Sequence, residues 1–194
     1  FKIACLSQFT YLRGIDRLAD LAQGLADAGR RDVLFVVAGR MELHGGLPGT
    51  LGRVAAEGGS FKDYIDRIGL ADMFLFLGQV SDPDRVLASC DMLAKPTREG
   101  NPWGRDIMES LAMGKPVLSV GTWARFVEND VTGVIAPDFD LDFYVKALLR
   151  LADDRALARG MGDAGRNRVA TLSSPQTSAE GLLSTWRATL SRAG

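Results

Sequence analysis

Residues 90–121 read CDMLAKPTREGNPWGRDIMESLAMGKPVLSVG, and this stretch decides the fold. The apolar run 91–95 ends at Pro96 and gives way to a loop rich in Gly, Pro and Trp. Helical spacing then covers 104–113, and a second apolar run occupies 116–120. Strand, loop, helix and strand in that order form the repeating unit of a parallel sheet. Glycines in the loop let a ligand approach the backbone. The helix start offers unpaired N–H groups and a positive dipole end, which suits a diphosphate. In an open α/β sheet such a loop lies at the carboxyl ends of the strands, where ligands bind. Glu109 stands on the second turn of this helix, placed to accept hydrogen bonds from ribose hydroxyls. By itself it reads more readily as a solvated helix glutamate.

The same alternation runs outward in both directions. Apolar runs at 2–6, 32–38, 73–77, 91–95, 116–120 and 133–136 predict six strands. Because these runs are continuous rather than alternating, they predict strands buried on both faces. Helices are predicted at 14–29, 61–68, 82–89 and 104–113, with a short one near 123–129. Ile15, Leu18, Leu21 and Leu25 mark the buried face of the first, and Phe143, Ala147 and Leu151 that of a later one. The Gly-rich segment 42–60 reads as a long loop. From Asp138 onward the pattern becomes three helices at about 140–153, 154–171 and 175–192, the last capped by Ser174 before Pro175. The expected architecture is α/β, a Rossmann-like doubly wound sheet of about six parallel strands ending in helices. It forms a single domain over 1–194, with a core at 2–137 and a helical part at 138–194.

Composition narrows the function classes. The 194 residues carry 23 basic and 24 acidic side chains for a net charge of −1, so no basic face points to nucleic acid. The longest apolar runs fall short of the ~18 residues of a membrane span. Cys5 and Cys90 are too far apart in sequence for a metal-ligand spacing and read as core, and the single histidine, His44, reads as a surface residue. Asp91 reads as a strand start. Gly114-Lys115 runs into Pro116 instead of Ser or Thr, so it is not a phosphate loop, and no G-x-G-x-x-G follows the first strand. The chain enters its first strand at Lys2 without an initiating Met, which suggests one domain of a longer protein.

The ordered motifs resemble the C-terminal domain of retaining GT-B glycosyltransferases of the group 1 (family 4) class. That family carries an Ala-Asp strand, Pro-Ser or Pro-Thr, a pair of glutamates eight residues apart, and Ala-x-x-Gly-x-Pro-Val. Here these fall at Cys90-Asp91, Pro96-Thr97, Asn101 and Glu109, and Met113-Gly114-Lys115-Pro116-Val117. Arg13-Gly14-Ile15-Asp16 fits the family's Lys-Gly-Val-Asp, Val36–Gly39 its second strand, Phe76–Gly78 its third, and Val131-Thr132-Gly133 its Val-Thr-Gly. The match runs from about residue 3 to 185.

The resemblance implies transfer of a sugar from a nucleoside-diphosphate sugar, UDP- or GDP-linked, with retention of configuration and no required metal or cofactor. The acceptor would sit on an N-terminal domain of the same protein, which would also make any membrane contact, and the expected location is cytoplasmic. By the same resemblance Glu109 holds the ribose. The backbone of Trp103, Gly104, Arg105 and Asp106, with Pro102, cradles phosphates and sugar, and Val80 and Ser81 meet the base.

Three departures stand out. The first glutamate of the pair is Asn101, with Glu99 out of register but within reach of the site. The family's phosphate-gripping Lys is Arg13, which keeps its charge, while its Arg becomes the neutral Gln8. Arg105, with Arg98, is the candidate replacement for that charge, because a cation at a helix start is disfavoured unless an anion sits nearby. Arg13, Asn101 and Arg105 are thus the expected catalytic set. Trp123 stands where the family often has Gly, and Arg125 where it often has Glu, which suggests an unusual sugar. Gln8 and Asn101 also support an alternative, a degenerate binding-only module. A third reading, an unrelated nucleotide-binding domain, is disfavoured by the ordered motifs.

Overall fold

The computed structural model describes residues 1–6, 10–43, 46–100 and 102–192. Strands β1 (Lys2–Leu6), β2 (Leu34–Ala38), β3 (Phe74–Gly78), β4 (Met92–Lys95), β5 (Val117–Val120) and β6 (Gly133–Ala136) form one sheet. Every pairing is parallel and the order is β3-β2-β1-β4-β5-β6. Each predicted strand is present, the second starting two residues later than its apolar run.

The strands read as continuous apolar runs because alternate residues serve two separate cores. Ile3, Phe35, Met92 and Leu118 point to one side, while Ala4, Val36, Leu93 and Val117 point to the other. The helices are α1 (Ile15–Asp27), α2 (Gly49–Ala56), α3 (Phe61–Arg67), α4 (Pro83–Ser89), α5 (Arg105–Ala112), α6 (Leu141–Asp153), α7 (Arg155–Leu172) and α8 (Pro175–Arg192). Helix α1 buries Ile15, Leu18, Leu21 and Leu25 in the first core, beside Tyr144, Leu148 and Leu151 of α6. Helices α4 and α5 bring Val86, Leu87, Ile107 and Leu111 to the second. Cys5 and Cys90 are both buried, and burial pushes both thiols up from their ordinary range. The Ser174 hydroxyl accepts from Thr177 N at 3.0 Å, as a capping residue should.

Four expectations need correction. The 42–60 segment is not all loop: α2 forms because Leu51 and Val54, three residues apart, reach the core. Gly52 permits it, since a Cβ there would lie 2.0 Å from Leu47 O. No helix forms at 123–129. Phe126 and Val127 are both buried there, and Thr132 fixes a turn by donating to Phe126 O (2.9 Å) and accepting from Glu128 N (2.8 Å). β3 is buried on one face only, because it is the sheet edge and α4 packs over β1 and β2; Leu75 and Leu77 stay exposed. On α6, Phe143 lies at the exposed margin while Ala147 and Leu151 are buried.

Among the described residues no helix is long and apolar enough to cross a membrane. Residues 175–191 of α8 are exposed throughout, including Leu182, Leu183, Trp186 and Leu190.

Candidate functional site

From β1 the chain winds outward through β2 and β3, and from β4 it winds the other way through β5 and β6. Such a reversal leaves a crevice beyond the carboxyl ends of the two central strands, where open α/β sheets hold their ligands. Leu6 ends β1 and Lys95 ends β4, and both line a cavity of about 570 Å³ at that point.

Two loops build its walls. The first carries a 3-10 turn, Tyr11–Arg13, closed by Gly14 at φ 71°. The second follows β4. They are stitched together: Arg98 N donates to Leu12 O at 2.8 Å, the buried Thr97 hydroxyl donates to the same carbonyl at 2.9 Å, and Arg17 Nη1 donates to Pro96 O at 3.1 Å. Gly14 is needed for this approach, since a Cβ would fall 2.0 Å from Pro96 O. Arg98, expected near the ligand, instead lies over the Tyr11 ring and binds Asp16, outside the cavity lining. Its charge is therefore spent on holding the loops.

The floor is the start of α5. Gly104 is its N-cap and brings no side-chain cap, so the Arg105 and Asp106 N–H groups have no partner among the described residues. Ile107 N is taken by Asp106 Oδ1 at 3.0 Å. A Cβ on Gly104 would lie 2.6 Å from Lys95 Nζ and 2.7 Å from Asp106 Oδ1. Those two side-chain ends can move, so it is the backbone, at φ 153° and ψ 168°, that calls for glycine there.

Three ion pairs line the cavity. Arg13 meets Glu99 at 2.9 Å, Lys95 meets Asp106 at 2.7 Å, and Arg105 meets Glu109 at 3.3 Å. Arg105 is 85% exposed, and Glu109 one turn on accounts for its place near the helix start. The lining is thus charge-balanced, with every cation one substitution of partner away from an entering anion.

The structure brings together Arg13, Trp103, Gly104, Arg105, Asp106 and Glu109 of the expected residues. Three others stand back from the cavity. Pro102 is buried beneath the loop, its Cδ against Gly121. Val80 packs on the second core, and Ser81 is exposed two residues before Pro83, which does line the cavity. Gln8, His44 and Asn101 lie outside the described residues. Lys95 was not anticipated, whereas Glu99, out of register in the motif, does reach the cavity. The available signal for Lys95 was a charged residue closing an otherwise apolar central strand. Beyond Trp103 a second hollow holds Trp123 and Arg125, with the two indoles 6.2 Å apart, edge to face. No group of three or more His, Cys, Asp or Glu among the described residues is placed to hold a metal ion.

Fold and site together define a doubly wound α/β domain with a charge-lined crevice at the switch point of its sheet. Comparison with known proteins makes the assignment more specific. The family profile described as glycosyl transferases group 1 matches residues 1–168, and the chain belongs to that family.

The lipopolysaccharide core biosynthesis mannosyltransferase LpsB of Rhizobium meliloti is 28% identical over 175 residues, covering 85% of this chain and 46% of the relative. Among solved GT-B structures, Anabaena HepE in complex with UDP superposes with a TM-score of 0.74 at 21% identity, covering 95% of this chain and 49% of that one. S. aureus TarM, also solved with UDP, gives a TM-score of 0.78 at 18% identity over 94% of this chain and 34% of its own. The chain therefore spans half or less of the length of these relatives.

Proposed function

We propose that this chain is the donor-binding domain of a retaining glycosyltransferase that uses a nucleoside-diphosphate sugar. The observation that carries the reading is the uncapped start of α5, opening on a charge-balanced cavity at the switch point, with Glu109 one turn further along. The diphosphate docks on the N–H groups of Arg105 and Asp106, where the helix dipole and unpaired donors favour an anion. Glu109 then exchanges Arg105 for the ribose hydroxyls, and Arg13 exchanges Glu99 for a phosphate oxygen. Trp103 and Gly104 border the sugar. Val80 and Ser81, which precede the cavity-lining Pro83, meet the base through their backbone.

In this reading the base is uracil or guanine, and UDP in the HepE and TarM structures supports the former. The departing nucleoside diphosphate is stabilised by protein groups without a required metal. Fixed donors aimed at a developing oxyanion are commonly worth about 10²–10³ each in rate. The acceptor is held by an N-terminal domain of the same protein, so this domain alone has no transfer activity, and the reaction is cytoplasmic. Asn101 and Gln8 keep one competing reading in play, a module that binds the donor and transfers nothing.

Isothermal titration of the chain with UDP, GDP and ADP tests the proposal. Binding of at least one is expected, and silence toward all three refutes it. Turnover of the donor by the longer protein excludes the binding-only module.

A further inference from the structure

Lys95 is the least exposed charge at the cavity, with its side chain 11% accessible and its partner Asp106 at 20%. A cation held that far from water is costly, and a well-packed apolar residue commonly replaces such a pair without loss of stability. Its neighbours on β4, Met92, Leu93 and Ala94, are all apolar and buried, so the strand itself does not call for a charge. The ligand crevice does. Nζ donates to Asp106 Oδ1 at 2.7 Å and to Trp103 O at 3.3 Å, within the turn that leads into the α5 amides. Among the described residues these use two of its three N–H donors.

Asp106 is arranged to release it. The carboxylate sits in the first turn of α5, where the helix dipole favours negative charge, and its Oδ1 also accepts from Ile107 N at 3.0 Å. Asp106 therefore keeps a backbone partner and a favourable field when the lysine turns away. Arg13 and Arg105 offer weaker alternatives: Arg105 is almost wholly solvated, and Arg13 stands on the opposite loop.

We propose that Lys95 is a diphosphate-binding residue, exchanging Asp106 for a phosphate oxygen when the nucleotide enters. It would supply the positive charge that Gln8 does not. This rests on the donor-binding reading above and adds the identity of the cation.

The test is isothermal titration of the chain and its variants with the nucleoside diphosphate that binds best and with the matching monophosphate. Lys95→Met is expected to weaken the diphosphate at least tenfold and the monophosphate much less, with Lys95→Arg recovering part of the loss. Asp106→Asn frees the lysine from its competitor and is expected to tighten the diphosphate severalfold. A purely structural pair predicts the opposite for that variant, namely lower thermal stability with an unchanged or weakened diphosphate. Should Lys95→Met fail to fold, Asp106→Asn decides alone. A diphosphate-to-monophosphate ratio within twofold of wild type in the folded variants overturns the role of Lys95. Failure of the wild-type chain to bind any nucleoside diphosphate overturns the donor-binding reading, and this proposal with it.

Discussion

Replacing Gly14 with alanine probes the joint on which the site is built. Two independent penalties act there. At φ 71° an L-residue pays about 1–2 kcal/mol of left-handed backbone strain. The new Cβ would also lie 2.0 Å from Pro96 O, a backbone atom that already accepts from Arg17 and has little freedom to retreat. Overpacking of this kind adds about 1–3 kcal/mol. The sum, about 2–5 kcal/mol, is a large share of the stability of an ordinary domain.

Gly29 provides the control. Its φ is 76°, but nothing lies within 4 Å of its missing Cβ, so Gly29→Ala incurs the strain alone. It also follows the far end of α1, about 20 Å away at 1.5 Å per residue. Urea unfolding should show a lower midpoint for both variants at similar slopes, with Gly14→Ala losing about 1–3 kcal/mol more than Gly29→Ala. Nucleotide titration should show weaker binding for Gly14→Ala only, because the clash parts the Arg13 loop from the β4 loop. Equal destabilisation by the two variants, or unimpaired binding by Gly14→Ala, would refute the claim that this contact sets the cavity.

Two further outcomes follow from single side chains. Glu109→Gln replaces a charged acceptor with a neutral one and should weaken nucleoside diphosphate binding about tenfold. A 2′,3′-dideoxy nucleotide should be insensitive to the change, and equal losses for both ligands would remove Glu109 from the ribose. Tyr144 is buried, with its hydroxyl donating to Ser119 O at 2.7 Å and accepting from Ala136 N at 2.9 Å, and burial pushes its pKa up to about 12. Between pH 10 and 12 the unfolded chain loses this proton while the folded one keeps it, so stability falls as pH rises, by about 2–3 kcal/mol. Tyr144→Phe should abolish that part of the alkaline loss in pH-dependent unfolding, while costing about 1–3 kcal/mol at neutral pH by orphaning its partners.

The inner strands were legible because burial on both faces leaves a short run with no polar interruption, and edge strand β3 shows the same run although Leu75 and Leu77 are exposed. The order of loops and the helix start at Gly104 were legible from the alternation of runs, whereas Gly14 was legible only through the motif Arg13-Gly14-Ile15-Asp16. Composition misled at α2, where glycines conceal a helix whose buried residues are Leu51 and Val54. Apolar content misled at 123–129, where Phe126 and Val127 are buried by a turn that Thr132 ties from beyond the segment.

At the site, sequence found the helix start and Glu109 but not the pairing of charges. Arg98 read as a second cation beside Arg105, but Asp16 and Tyr11 hold it away from the cavity. Lys95 looked like a strand terminus. Which cation faces the crevice depends on contacts between residues 82 and 11 positions apart, Asp16 with Arg98 and Lys95 with Asp106. No local pattern encodes the first of these.

The central claim is that the crevice at the ends of β1 and β4 holds a nucleoside diphosphate on the first turn of α5. Amide chemical shifts of the ¹⁵N-labelled chain, followed during titration with UDP and GDP, test it most directly. The account predicts that the largest saturable changes with at least one nucleotide fall on the Arg105 and Asp106 amides, with Arg13 and Gly104 following. Absence of any change, or saturable changes confined to another face of the sheet, would contradict it.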